Sequence, residues 1–383
     1  MKKPKIAVIG SGISGLSCVW MLGKNFKVDL FEKNSYFGGH TNTQTIKINK
    51  NNIPVDTGFI VFNDLNYPNL CNFFNELDVK SYESDMSFGV SINRASLEYS
   101  GSNLSTIFAQ KKNIISANFL KMLLEIIKFN ISVKKDKNKY PHYTIADYLG
   151  EKKYTEYFKY NHLYPMAASI WSSSFKDIKK YPFTRFVDFF SNHGLLKILN
   201  RPKWRTVLNG SKSYVDKILK LKNLRKFKNS RPKVIKVSDK KIFLSVNGKV
   251  EKYDHLIIAV HSDQVKNVIK LDMTSEKIFS QINYKKNKVY LHSDQLLMPK
   301  LKKVWSSWNY LDDGEKNNNL TVTYWMNKLQ KLNTKKNIFV SLNPSRIPQK
   351  EKIFKTIAYE HPIFNFKTFE NQKKIEHLQG RRG

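Results

Sequence analysis

The chain has 383 residues, more than a single hydrophobic core usually serves, so two interlocked domains are expected. Its 66 lysine and arginine residues outnumber 31 aspartate and glutamate residues, which gives a formal net charge of +35. Because the basic residues are spread along the chain without a helix-turn-helix, zinc-finger or RNP-type motif, the composition argues against a nucleic-acid partner. Two explanations of the charge stay open, an anionic membrane partner or compositional drift towards lysine, and the even spread favours drift.

Cysteine and histidine usage predicts neither disulfides nor a metal site. Cys18 and Cys71 have no C-x-x-C spacing, and the nine histidines show no H-x-H or H-E-x-x-H spacing. No segment reaches the ~20 apolar residues that a membrane-spanning helix needs. The expected location is therefore cytoplasmic, with a peripheral position on the inner membrane face as the alternative.

Residues 5–32 predict a strand, a tight turn, a helix and a second strand. Residues 6–9 form an uncharged, mostly β-branched run that is typical of a buried parallel strand. Gly10, Gly12 and Gly15 then give the spacing G-x-G-x-x-G. In this motif the first glycine permits a sharp turn, the second lets a pyrophosphate approach the backbone, and the third lets the helix pack on the strand.

The elements around these glycines strengthen the prediction of a dinucleotide site. A helix over 14–22 would direct its free N–H groups and its dipole towards phosphates. The strand at 28–31 ends at Glu32, whose carboxylate can accept hydrogen bonds from the ribose hydroxyls of an adenosine and would repel the 2′-phosphate of NADP. The alternative is a glycine-rich turn in some other α/β protein, which the acid 20 residues beyond Gly12 disfavours.

A second glycine pair, Gly38 and Gly39, follows in the segment KNSYFGGH and lets the backbone pass close to a ligand. Strands are predicted at 41–48, at 53–63 around the turn Asp56-Thr57-Gly58, and at 86–97, with an amphipathic helix at 67–77.

From about residue 104 the composition changes, and residues 104–133 are predicted to be helical, with apolar residues interleaved with lysines. This segment is either a helical cap packed on the protein, which the amphipathic pattern favours, or a basic surface that contacts a membrane and admits a lipophilic substrate. Further helices are predicted at 144–149, 154–163 and 183–199.

The C-terminal half returns to strands. A helix is predicted within 204–219, strands at 234–237, 242–246 and 250–253 with a hairpin turn at Asn247-Gly248, and an apolar strand at 255–260 that resembles the first strand. Aromatic strands at 288–292, 304–310, 320–326 and 338–342 could wall an apolar cavity. The expected fold is α/β, with a Rossmann-type domain assembled from residues 1–90 and 200–290 and an α+β substrate or cap domain from residues 91–199 and 291–383.

Three segments resemble the FAD-dependent amine-oxidase and phytoene-desaturase superfamily, namely VIGSGISGLS at 8–17, FEKNSYFGGHTNT at 31–43 and VDTGFIVFN at 55–63. Within it, the chain is similar to a bacterial group of amine-oxidase-like proteins with predicted NAD/FAD binding. Segments such as LYPMAASIWS at 163–172 and TYWMNKLQ at 323–330 extend the resemblance over nearly the whole chain.

The resemblance implies FAD rather than free NAD, because an ordinary NAD dehydrogenase does not need a second glycine pair after Glu32. It implies cofactor-binding residues at Gly10, Ser11, Gly12, Ile13, Ser14, Gly15, Glu32, Lys33, Gly38, Gly39, His40, Thr41, Asp56, Thr57, Gly58, Phe59 and Val234. In this resemblance residues 10–12, 14 and 15 would hold the pyrophosphate, and Glu32 would bind the adenosine ribose. Residues 38–41 would run beside the pyrophosphate and the ribityl chain, and residues 56–59 would approach the flavin. Val234 would present its backbone to the adenine.

The function implied is that of an FAD-dependent oxidoreductase, in which flavin N5 accepts a hydride from a C–H bond of an amine or of an apolar, lipid-like or polyene substrate. Such a reaction needs no dedicated protein base, and no catalytic side chain is predicted. The alternatives are an NAD(H)-dependent reductase and a non-catalytic dinucleotide-binding or peripheral membrane protein. The last is suggested by the end of the chain at 379–383, where the family continues with a glycine-rich segment over the flavin, so a truncated sequence or weak FAD binding is expected. The oligomeric state stays open.

Overall fold

The computed structural model describes residues 3–197, 200–238, 241–314 and 321–380. The predicted helix end at 199, the predicted strand start at 320 and the terminal residues 381–383 lie outside these ranges. The strands are β1 (Lys5–Ile9), β2 (Lys27–Phe31), β3 (Thr43–Ile48), β4 (Asn51–Asp56), β5 (Phe62–Asn63), β6 (Ser81–Ser84), β7 (Phe88–Ile92), β8 (Leu97–Ser100), β9 (Trp204–Val207), β10 (Leu224–Phe227), β11 (Lys233–Ser238), β12 (Lys241–Val246), β13 (Lys249–Tyr253), β14 (His255–Ile258), β15 (Tyr284–His292), β16 (Trp308–Leu311), β17 (Thr321–Trp325), β18 (Phe339–Leu342) and β19 (Ile353–Pro362).

Helices connect these strands and build most of the segment between β8 and β9. They are α1 (Ile13–Gly23), α2 (Pro68–Glu76), α3 (Leu104–Ile107), α4 (Ala117–Asp136), α5 (Ile145–Glu151), α6 (Glu156–Phe158), α7 (Tyr164–Trp171), α8 (Phe175–Lys179), α9 (Phe183–Asn192), α10 (Lys212–Ile218), α11 (Met273–Ser280), α12 (Met326–Leu329) and α13 (Phe366–Glu376). A π-helical turn, Lys159–Leu163, joins α6 to α7.

A parallel sheet in the order β10-β2-β1-β14 contains the first strand. Pairing of β1 with β14 runs from Ile6–His255 to Ile9–Ile258, which confirms a sheet assembled from separated segments. The sequence analysis missed β10, because its two central residues are basic. In the structure one of them, Arg225, is paired with Asp29 of β2, at 2.7 Å from Nε to Oδ1, so both charges are neutralised in place.

A seven-stranded sheet in the order β19-β15-β18-β17-β16-β7-β8 forms the second large layer. Its pairs are antiparallel except β16 with β7. The two sheets confirm the predicted α/β class, with a Rossmann-type part and a second part. The predicted boundaries at 90 and 290, however, fall inside β7 and β15, which both pair in the seven-stranded sheet. A strand's own residues do not show which sheet it joins, and the division into two domains stays a prediction.

The predicted helical segment 104–133 is divided into α3, a 3₁₀ turn at Lys111–Ile114, and α4. Ser116 begins α4, since its side chain accepts a hydrogen bond from the Phe119 N–H at 3.4 Å. The inner face of α4 packs into the large core through Phe119, Met122, Phe129 and Val133. None of the helices in the described parts of the chain combines the length and apolarity that crossing a membrane requires.

Candidate functional site

The three glycines of the motif have different surroundings in the turn between β1 and α1. Gly10 has a φ of +103°, and a Cβ there would lie 2.3 Å from the Ala259 carbonyl oxygen. A Cβ at Gly15 would lie 1.9 Å from the Gly10 carbonyl oxygen. Beside Gly12, in contrast, no atom of the described residues, apart from Gly12 and its two chain neighbours, lies within 4 Å of a Cβ position. The protein itself therefore requires Gly10 and Gly15, whereas the space beside Gly12 is open to a ligand.

The second glycine pair lies directly against this turn. Gly38 N–H donates to the carbonyl oxygen and to the Oγ of Ser11, each at 3.1 Å. Gly39 has a φ of +60°, and a Cβ there would lie 3.2 Å from Gly12 Cα. Two segments that are separate in sequence thus form one continuous backbone wall around Gly12.

Glu32 lies buried behind this wall and is already oriented by the protein. Its Oε2 accepts hydrogen bonds from Ser11 N–H at 3.1 Å and Ser11 Oγ at 2.5 Å, and its Oε1 accepts one from Asn34 N–H at 2.9 Å. A carboxylate offers about four acceptor positions, so Glu32 retains capacity for a further donor. The neighbouring Ser230 donates its N–H to the Glu32 carbonyl at 2.9 Å, while its Oγ is buried without a partner.

These groups line a cavity of about 2150 Å³. Its lining contains twelve of the predicted cofactor residues: Gly10, Ser11, Gly12, Ile13, Ser14, Glu32, Lys33, Gly38, Gly39, His40, Thr41 and Phe59. Five predicted residues lie outside the lining: Gly15, Asp56, Thr57, Gly58 and Val234. Most of the predicted residues are therefore brought to one surface.

The segment 56–58 lies behind the cavity wall, whereas the sequence analysis predicted that it approaches the flavin. Asp56 is fully buried and accepts hydrogen bonds from Ser211 N–H at 3.0 Å, from Gln330 Nε2 at 2.8 Å and from Thr43 Oγ1 at 2.5 Å. Burial raises the pKa of the Asp56 carboxyl, and these donors oppose that shift. A Cβ at Gly58 would lie 2.2 Å from the His40 carbonyl oxygen. The segment thus supports residues 40–42 from behind, and of the four residues 56–59 only Phe59 reaches the cavity.

Val234 does not line the cavity, and its contact with an adenine stays a prediction. Its backbone N–H donates to the Val268 carbonyl at 2.7 Å, so that N–H is not available to a base. The cavity at this end is lined instead by Ser230, Lys233 and Val268.

The sequence analysis did not predict a cluster of aromatic and histidine rings around His40. His40 stacks on Tyr359, with ring centroids 4.8 Å apart, and lies 5.1 Å from His361 and 6.4 Å from His261. Its Nε2 is buried without a hydrogen-bond partner. Burial, followed by the two neighbouring histidines, lowers the pKa of His40 to about 4, so the ring is neutral at pH 7. Tyr359 and His361 lie on β19, which was not predicted, and no sequence spacing connects them to His40.

The Tyr214 side chain contacts the segment that follows the glycine pair. The Tyr214 hydroxyl shares a short hydrogen bond with Thr41 Oγ1. Burial raises the pKa of Tyr214 to about 12, so its hydroxyl keeps its proton at neutral pH. Thr41 is thereby held in one orientation at the edge of the cavity.

The charged residues of the cavity are mainly basic. Glu32, Asp216 and Glu360 carry negative charge, and the basic side chains are Lys33, Lys212, Lys228, Arg231, Lys233, Lys286 and Lys355. This balance favours anionic groups such as phosphates. No group of three histidine, cysteine, aspartate or glutamate side chains is placed to hold a metal ion within the ranges that the structure describes.

Comparisons with known proteins agree with this architecture. Residues 8–77 match the family model of the NAD(P)-binding Rossmann-like domain. No curated protein matches the chain. Among solved structures, a CLA-producing fatty acid isomerase from P. acnes has a TM-score of 0.67 at 14% identity, over 100% of this chain and 92% of that one. The chain has the same fold.

Two further structures share it. An oxidoreductase from Methanosarcina mazei has a TM-score of 0.65 at 11% identity, over 94% of this chain and 89% of that one. Cyclohexylamine oxidase from Brevibacterium oxydans IH-35A has a TM-score of 0.62 at 13% identity, over 96% of this chain and 90% of that one. The resemblance drawn from the short sequence segments is thus confirmed at the level of the fold.

Proposed function

We propose that this protein binds FAD and is an oxidoreductase that removes a hydride from a C–H bond of a small apolar or amine substrate. The observation that carries the proposal is the open space beside Gly12, which is bounded by the second glycine pair and continuous with Glu32. The shared fold supports it, since solved structures with this fold include an oxidoreductase and an amine oxidase.

The residues present fit a dinucleotide. Backbone beside Gly12 and the N-terminus of α1 would hold the pyrophosphate, and Glu32 has a remaining acceptor position for a ribose hydroxyl. Two buried polar atoms in the wall, Ser230 Oγ and His40 Nε2, have no hydrogen-bond partner among the residues that the structure describes. Ligand pockets usually occupy about 300–1,000 Å³, so a cavity of about 2150 Å³ has room for a dinucleotide together with a substrate.

When bound, FAD would supply the hydride acceptor. The role of the chain is then to bind, orient and desolvate. Phe59, Tyr214 and Tyr359 place aromatic surface on the cavity and exclude water from it. Neutral His40 and the Thr41–Tyr214 hydrogen bond provide polar groups of fixed orientation without adding charge.

The substrate class includes apolar, lipid-like molecules and amines. The cavity lining includes apolar surface from Phe59, Tyr67, Leu70 and Leu219, which suits a largely uncharged substrate. A cytoplasmic location is part of the proposal, and both cysteines are free thiols.

The visible absorption spectrum of the purified full chain tests the proposal, followed by titration with FAD and with NADH. Flavin absorption bands, or tight FAD binding after reconstitution, are expected. Tight NADH binding without FAD binding would instead make the protein an NAD(H)-dependent reductase, which is the alternative enzyme function. Binding of neither dinucleotide would overturn both.

A further inference from the structure

The solvent face of α4 carries aliphatic side chains that the fold does not cover. Leu120, Leu124, Ile127 and Ile131 are 39%, 68%, 44% and 61% exposed. Their spacing of four, three and four residues places them in one row along the helix. We call this row the α4 stripe. The helical cap expected from the sequence explains the buried face of α4, through Phe119 and Met122, but it does not explain the stripe.

Two further exposed aliphatic side chains lie in the chain just before α4. Ile114 and Ile115 are 54% and 86% exposed, and they immediately precede the Ser116 that caps α4. Scattered exposed hydrophobic residues need no explanation, whereas a continuous apolar surface usually marks an interaction site.

Lysines of α4 border the stripe, whereas the acidic residues of α4 do not. Lys121, Lys128 and Lys135 are exposed and recur every seven residues, which places them along one side of the stripe. The acids of α4 are Glu125 and Asp136, and both are buried.

Each of these acids is already engaged by the protein. Glu125 accepts hydrogen bonds from the N–H and the Oγ of Thr155. Asp136 accepts one from the Tyr148 hydroxyl at 3.0 Å and pairs with Lys152 at 3.0 Å. The exposed face of α4 therefore presents aliphatic side chains and positive charge together.

We propose that α4 and the preceding Ile114 and Ile115 bind flat on an anionic phospholipid membrane. An amphipathic helix with lysines beside an aliphatic row is the arrangement that lies in the interface of such a membrane. A polyanion such as nucleic acid would use the lysines and leave the aliphatic row exposed to water. A second copy of the chain would bring a like net charge of +35 to the same face.

Vesicle flotation with the full chain tests the apolar part of this proposal. Binding to vesicles of phosphatidylglycerol and phosphatidylcholine is expected, with much weaker binding to phosphatidylcholine alone. The double variant Leu124→Gln/Ile131→Gln should weaken binding by about tenfold or more, because each residue loses burial in the lipid. Glutamine keeps the helix propensity of leucine closely enough to preserve α4, and far-UV circular dichroism checks this.

The matched control replaces equally exposed methionines elsewhere. Met21 is 69% and Met273 is 90% exposed, and Met21→Gln/Met273→Gln should leave vesicle binding unchanged. Equal binding by the stripe variant and the wild type would overturn the proposal. So would concentration-dependent self-association that the stripe variant abolishes without any vesicle binding, because the face would then be a contact between copies.

Charge variants test the electrostatic part. A lysine near an anionic surface strengthens binding about fivefold, so Lys121→Gln/Lys135→Gln should weaken binding about 25-fold. Lys236 and Lys249 are exposed and lie on β11 and β13, so Lys236→Gln/Lys249→Gln makes the same change in net charge away from α4. Similar losses from both pairs would mean that net charge alone acts, and would overturn the assignment to α4. Vesicle binding does not depend on the flavin spectrum, so this proposal and the proposed function fail separately.

Discussion

The substitution Gly12→Ala separates ligand binding from folding at the centre of the site. Gly12 has a φ of −65° and a ψ of 179°, a conformation that alanine adopts without strain. In the part of the chain that the structure describes, only the residues adjacent to Gly12 in sequence come within 4 Å of the added Cβ. The folded protein should therefore tolerate the change, and a glycine-to-alanine replacement at a compatible position raises the free energy of unfolding by about 0.4–1 kcal/mol.

Binding of a dinucleotide should respond in the opposite direction. The new methyl group would project into the cavity where the pyrophosphate is proposed to contact the backbone. An extra carbon in a closely packed contact costs about 1–3 kcal/mol, which corresponds to about a 5- to 150-fold loss of FAD affinity. Calorimetric titration of the apoprotein measures this loss, and urea denaturation measures stability on the same sample.

Gly101→Ala is the control, because Gly101 also has nothing within 4 Å of a Cβ position but does not line the cavity. Both variants should unfold at or above the wild-type urea concentration, and only Gly12→Ala should lose affinity. Unchanged FAD affinity in Gly12→Ala would refute the assignment of the pyrophosphate to this turn. A marked loss of stability in Gly12→Ala would refute the conclusion that the space is open.

Three further changes test the surrounding structure. Gly15→Ala places a Cβ 1.9 Å from the Gly10 carbonyl oxygen. Urea denaturation should therefore show a free energy of unfolding that is lower by at least about 1–3 kcal/mol. A variant as stable as the wild type would contradict the packing of α1 on β1. Asp56→Asn should lower the free energy of unfolding by about 1–3 kcal/mol, because an amide cannot accept all the hydrogen bonds that the carboxylate accepts. Loss of FAD affinity without loss of stability would instead place Asp56 at the cofactor. The pKa of His40 is lowered to about 4 from an unfolded value of about 6.5, so the stability it contributes is complete above pH 6.5 and is lost as the pH falls towards 4. Urea denaturation between pH 4 and 7 should show a flatter pH dependence in His40→Gln than in the wild type, and identical slopes would show that His40 is not held neutral.

Local patterns predicted those parts of the site that depend on neighbouring residues. The run of β1, the glycine spacing and the position of Glu32 all lie within one strand–helix–strand unit. Steric limits on a tight turn and on helix packing act over a few residues, so their signature appears in the sequence. The hairpin at Asn247-Gly248 was predicted for the same reason and is found between β12 and β13.

Local patterns were less informative where a residue's partner is distant in the chain. Asp56 was assigned to the cofactor from its motif, yet its donors come from Ser211 and Gln330. The basic residues of β10 concealed a strand because Arg225 is neutralised by Asp29. In both cases a charged residue is balanced by a partner that its own surroundings in sequence do not reveal.

The sequence by itself determined the glycine turn between β1 and α1, since glycine is required wherever a Cβ would meet backbone within the same unit, as at Gly15. Only the tertiary structure decided what the turn faces. It brings Ala259 against Gly10, places Tyr359 on His40, and leaves the space beside Gly12 open. These contacts join residues that are far apart in the chain. Their distances are set by the order in which the strands pair within the sheets, and not by any local conformational preference.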